Sequence, residues 1–146
     1  MTREKSDTEM LLRDVSAGIK MAVSALDQTL SKTQGSSLKT TLENSRDGHL
    51  GLSLRAKSML SELTDRPAVA GKLAQCMSKM KTGMMMALSP GDDTIAELIC
   101  DGCNMGVKSI ARSLNEHTNA TRASRELAYD LIALDRKLSS DMAEYL

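Results

Sequence analysis

The side chains best suited to chemistry in this sequence are three cysteines and two histidines. Cys100 and Cys103 form the motif Cys-Asp-Gly-Cys. On a helix, positions three apart share a face, so both thiolates could reach one soft ion. Cys76 comes earlier, followed by Met77, Met80 and Met84 at helical spacing, with Met85 and Met86 beside them. His49 has Ser45 one turn before it and Gly48 and Gly51 close by. Cysteine, methionine and histidine together suit Cu(I), and cysteine with histidine suits Zn. The candidate metal centre is therefore Cys76, Cys100 and Cys103, with His49 or Met80 as an auxiliary ligand.

A plainer reading stands beside it. Free cysteine packs as a small hydrophobe, and methionine fills irregular gaps. His49 is then a core histidine satisfied by a hydroxyl or a carboxylate. Asp130, near the edge of the last apolar stripe, could pair with His49 or with an arginine. Such a pair is more often a structural polar network than a catalytic dyad. The sequence has no Ser-His-Asp order, phosphate-binding glycine loop or metalloprotease motif. No βαβ pattern surrounds the Cys-x-x-Cys, so a thioredoxin-like role is disfavoured.

These residues must be positioned by helices. Phe and Trp are absent, Tyr129 and Tyr145 are the only aromatics, and Met occurs 11 times. The dominant Leu, Ala, Met, Lys and Glu favour helix. Breaks at Gly35, Pro67, Pro90 and His117-Thr118-Asn119 divide the chain into five segments. They are placed at roughly 8–33, 36–64, 68–88, 92–117 and 120–146.

The second segment repeats Leu38, Leu42, Ser45, His49, Leu52, Ala56, Met59 and Leu63 at alternating spacings of four and three. That pattern buries one face of a helix at a shallow crossing angle. The third, with Val69, Leu73, Cys76, Met80 and Met84, and the fifth, with Leu127, Leu131, Leu134, Leu138 and Met142, repeat it. The fourth carries Gly102 and Gly106 on a wide apolar arc. It is expected to be central, with a neighbour's backbone close to the glycines.

Expected helix caps are Ser6 or Asp7, Ser36, Asp92 or Asp93, and Asn119 or Thr121. Four segments reach about 25 residues, roughly 38 Å each. With tight turns between them, the second and fourth segments run parallel, and the shorter third returns between them.

The block Asp101-Gly102-Cys103-Asn104-Met105-Gly106-Val107-Lys108-Ser109, the Leu114-Asn115 after it, the Met-rich third segment and the Leu- and Ile-rich last helix together resemble a known group. Its members are small uncharacterised helical proteins of anaerobic Gram-positive bacteria, ferritin-like in architecture. The resemblance implies a fold and a stress- or spore-associated setting, but no reaction. A ferritin-type di-iron site needs Glu-x-x-His from two helices. Here Arg46 precedes His49 by three and Leu114 precedes His117 by three, so that site is excluded.

Charge is balanced, 19 basic against 19 acidic residues, which gives no electrostatic reason to bind nucleic acid. No segment approaches the ~20 apolar residues of a membrane span. The start is charged rather than signal-like, and an odd cysteine count favours a reducing compartment. Leu50 and Leu54, and Met10 and Met21, lie off their stripes and could form exposed apolar strips. The resulting expectation is a single all-α domain, 1–146. It is a ferritin-like up-down bundle of four long helices with a shorter fifth helix in the crossover. A cytoplasmic, non-enzymatic structural or interaction protein is expected, self-associating through the first hairpin. Cu or Zn binding is the alternative.

Overall fold

The computed structural model describes residues 2–66 and 91–146. The expected helix at 68–88 and its methionines, Cys76 and Met80 included, lie outside them. Four long helices make up the described residues: α1 (Arg3–Leu30), α2 (Ser36–Leu63), α3 (Asp92–Glu116) and α4 (Arg122–Met142). A single 3-10 turn, Ala143–Tyr145, ends the chain. The described residues contain no strand, and none of their helices is long and apolar enough to cross a membrane.

The start signals differ from expectation at three of the four helices. α1 begins before Ser6 and Asp7, because Thr2 accepts a hydrogen bond from the Lys5 amide and caps it there. Asp7 instead accepts from the Asn119 amide at 2.9 Å and from its side chain at 3.0 Å. Gly35 rather than Ser36 is the N-cap of α2, and Gly91 rather than Asp92 or Asp93 is that of α3. Both lack a side-chain cap. Asp92 works across helices instead, accepting from the Gln34 amide at 3.0 Å and the Gly35 amide at 2.9 Å. Thr121 caps α4 as expected, accepting from the Ser124 amide.

These bonds fix the directions. Asp7 with Asn119, and Thr8 with the Thr121 amide at 2.9 Å, join the start of α1 to the start of α4. At the opposite end, Asp92 meets the α1–α2 turn, and the Ser37 and Tyr145 hydroxyls lie 2.7 Å apart. Thus α1 and α4 run one way, and α2 and α3 the other. α2 ends at one end of the bundle and α3 begins at the other. Closest packing is within α1–α2 and α3–α4, while α2 and α3 stand at opposite corners. Among the described residues, α3 is touched on two sides, by α1 and by α4.

Apolar spacing sets the buried faces. On α2 the buried stripe runs Leu38, Leu42, Ser45, His49, Leu52, Ala56 and Leu60. It matches the repeat until Ala56, then moves to Leu60 instead of Met59 and Leu63. A straight helix has 3.6 residues per turn and drifts against a strict seven-residue repeat. The core forms two apolar clusters. One holds Leu11, Val15, Leu52, Leu127 and Leu131, and the other Leu26, Leu38, Leu42, Ile95 and Leu138. On α2 and α4, His49 and Asp135 fall between the residues assigned to the two.

Candidate functional site

His49 sits mid-way along α2, on its buried stripe, with no solvent exposure. Its ring folds back one turn, bringing Nδ1 to 2.8 Å from the Ser45 carbonyl oxygen. A carbonyl only accepts, so Nδ1 carries a proton and donates it. Nε2 lies 2.9 Å from Asp135 Oδ1 on α4. Both ring nitrogens are therefore used. Asp135 is itself only 6% exposed.

Two glycines make room for this pair. A Cβ on Gly48 would stand 3.2 Å from both Leu134 methyl carbons, so its absence lets α4 approach α2 beside the pair. A Cβ on Gly106 would stand 2.7 Å from Asp135 Oδ2. The close approach expected at Gly106 is thus to a carboxylate rather than to a backbone.

Cys103 is buried on α3, and burial is the main cause that pushes its thiol well above the usual range. The negative charge of Asp135 and the neighbouring Cys100 add to the effect. Cys100 is half-buried, with its thiol 3.6 Å from the Ser139 carbonyl oxygen, to which it donates. A thiol held protonated is neither a nucleophile nor a ready metal ligand.

Of the proposed ligands, Cys100 and Cys103 share α3 while His49 is on α2, at the opposite corner. Asp135 stands next to both His49 and Cys103. Among the described residues, no group of three or more His, Cys, Asp or Glu is arranged to hold a metal ion. Asp130 does not reach His49. It pairs with Arg55 at 2.8 Å, and both side chains are half exposed. His117, at the end of α3, is 3.8 Å from Asp7 and 4.0 Å from Asp14, a loose contact at the bundle's end.

Sequence reading passed over Asp135. The available signal was its place on the α4 face that buries Ala128, Leu131, Leu138 and Met142. A charged residue there requires a buried partner, because an unpaired buried charge costs several kcal/mol, on the order of 3–5.

Asp135 also lines an apolar groove between α1 and α3. Gly18 and Ala22 from α1 and Gly102 and Gly106 from α3 form its sides, with Met21 and Leu138 nearby. Its free space, open side included, is about 600 Å³. Met21, expected on an exposed strip, is buried here at 9% exposure. Compared with protein-family models, with curated proteins and with solved structures, the chain matches none.

Proposed function

We propose that this chain is a non-enzymatic helical-bundle protein with a structural or protein-interaction role. The observation that carries this reading is the state of His49, which is fully buried with both ring nitrogens engaged. An imidazole so placed stabilises one arrangement of helices and has no free nitrogen for a substrate. The reading extends to a ferritin-like bundle with a fifth helix over 68–88, and to the cytoplasm, where free cysteines persist.

The interaction surface in this reading is the outer face of the α1–α2 hairpin. Leu54 is 70% exposed, Leu50, one turn before it, is 37% exposed, and Met10 on α1 is 47% exposed. A homodimer would cover such residues. Sedimentation velocity at micromolar concentration tests this. The expected result is a dimer, shifted to monomer by Leu54→Lys, whereas a monomer at every concentration contradicts it.

The soft-metal alternative is Cu(I) or Zn held by Cys76, Cys100 and Cys103 with His49 or Met80; its support is that Asp135 lies beside both His49 and Cys103. It requires His49 to release a hydrogen bond and Cys103 to lose its proton. Elemental analysis of protein purified without an affinity tag decides between the readings. Less than about a tenth of an equivalent of Cu or Zn, with three titratable thiols, removes the alternative.

A further inference from the structure

We propose that His117 is a proton-operated clamp, which draws the α3–α4 turn onto α1 in mild acid and releases it at alkaline pH. This goes beyond the structural role above, since it gives one end of the bundle a response to its surroundings. The first observation is placement. His117 is the C-cap of α3, and its side chain is only 15% exposed. Its two ring nitrogens face two carboxylates of α1, Nδ1 at 3.8 Å from Asp7 Oδ1 and Nε2 at 4.0 Å from Asp14 Oδ2. Asp7 and Asp14 stand two turns apart on one face of the helix. Both gaps lie just beyond hydrogen-bond reach, so a small shift of the ring closes them.

The second observation is that both carboxylates are already aimed by neutral donors. Asn119 holds Asp7 Oδ2 through its amide and its side chain. Ser113, one turn before His117, donates to Asp14 Oδ2 at 2.6 Å. The Asn119 bonds keep the Asp7 carboxyl below its ordinary value, and the positive charges of His117 and Arg3 add to this. Asp7 is therefore ionised throughout the range in which imidazoles titrate.

Donor count sets the response. A neutral imidazole has one N–H and can serve one of the two carboxylates, whereas an imidazolium has two and can serve both. Protonation also adds attraction to the negative end of the α3 dipole. From α4 comes one cation, Arg125, which donates to the Leu114 and His117 carbonyl oxygens at 3.1 and 3.2 Å and opposes the added charge. Glu116, next to His117 on α3, is exposed. α2, at the opposite corner, supplies no ion-pair partner among the described residues. Only the two aspartates face the ring nitrogens, so attraction prevails. The clamp's contribution is thus present in mild acid and lost as pH rises.

Urea unfolding of the native chain and of His117→Gln, at about pH 5.5 and about pH 8, tests this. Gln keeps a polar side chain but takes up no proton, and His49 is common to both proteins, so its contribution cancels. The native chain's advantage in folding equilibrium constant should be roughly fivefold larger at the lower pH. An equal advantage at both pH values, or a larger one at the higher, overturns the proposal. Asp14→Asn in both proteins should shrink the pH-dependent part, and an undiminished part also overturns it. On the unaltered chain, amide exchange at Asn119 and Ala120, corrected for its intrinsic rate, should be slower at the lower pH. Equal protection at both pH values counts against the clamp even if His117→Gln fails to fold.

Discussion

His49 and Asp135 lie on facing helices, each within its own helix's buried stripe, and each is meaningful only with the other. Taken alone, either would be a buried polar group without compensation. Together with the Ser45 carbonyl they satisfy both ring nitrogens and one carboxylate oxygen. Cys103 belongs to the same neighbourhood, and its thiol responds to burial and to the Asp135 charge by holding its proton. Alkylation of the native chain at about pH 8 should therefore leave Cys103 unmodified, with modification appearing once urea unfolds the bundle. Peptide mass spectrometry reports each site separately. Rapid labelling of Cys103 in the folded chain would contradict the burial described here.

At the scale of elements, each helix end is tied to another helix. Asp92 leaves its own helix start uncapped by a side chain and holds the α1–α2 turn instead. Asp7 and Glu9 do comparable work near the start of α1. Hydrogen bonds from the Asn119 amide and side chain hold the Asp7 carboxyl below its ordinary value. A hydrogen bond from Arg13 does the same for Glu9, aided by the charges of Arg66 and Arg13. Because both values are lowered in the folded chain, the stability they add is fully present above the unfolded values of 3.8 and 4.5. It is lost as pH falls through the lower folded values. Thermal melting followed from neutral pH down to about pH 3 should show a decline beginning in the low fours. That decline should be shallower in the Asp7→Asn, Glu9→Gln double variant. An identical slope in both proteins would rule out these two groups as its source.

The elements were largely legible in the sequence, because leucine spacing and the breaks at Gly35 and His117 are local signals. Helix starts were less so. Sequence rules assign Ser36, Asp92 and Asp7 to their own helices, while the fold uses Asp92 and Asp7 across helices. The site was half legible. His49 stood out on its stripe, but its partner depends on which face of α4 turns toward α2. Asp130 was weighed and Asp135 passed over, although Asp135 falls on the buried face of α4 with Leu131 and Leu138 and Asp130 is half exposed.

For the whole molecule, α1 and α4 run against α2 and α3, and two apolar clusters meet α2 and α4 on either side of one polar pair. Apolar contacts slide with little change in energy when helices shift by a turn, whereas a single hydrogen-bonded pair accepts one register only. That is the part assigned to His49 and Asp135: they align α2 against α4, and Gly48 and Gly106 exist in that neighbourhood to admit them. The cost of such a pair lies in desolvation, and its benefit is specificity of packing.

A double-mutant cycle by urea unfolding tests this most directly, comparing the native chain with His49→Leu, Asp135→Leu and both together. Each single exchange should destabilise by about 3 kcal/mol, since it leaves a buried partner unpaired. The double exchange should cost much less than their sum, with a coupling of about 2 kcal/mol or more. Single exchanges that are close to neutral, and that add without coupling, would contradict the role given to this pair.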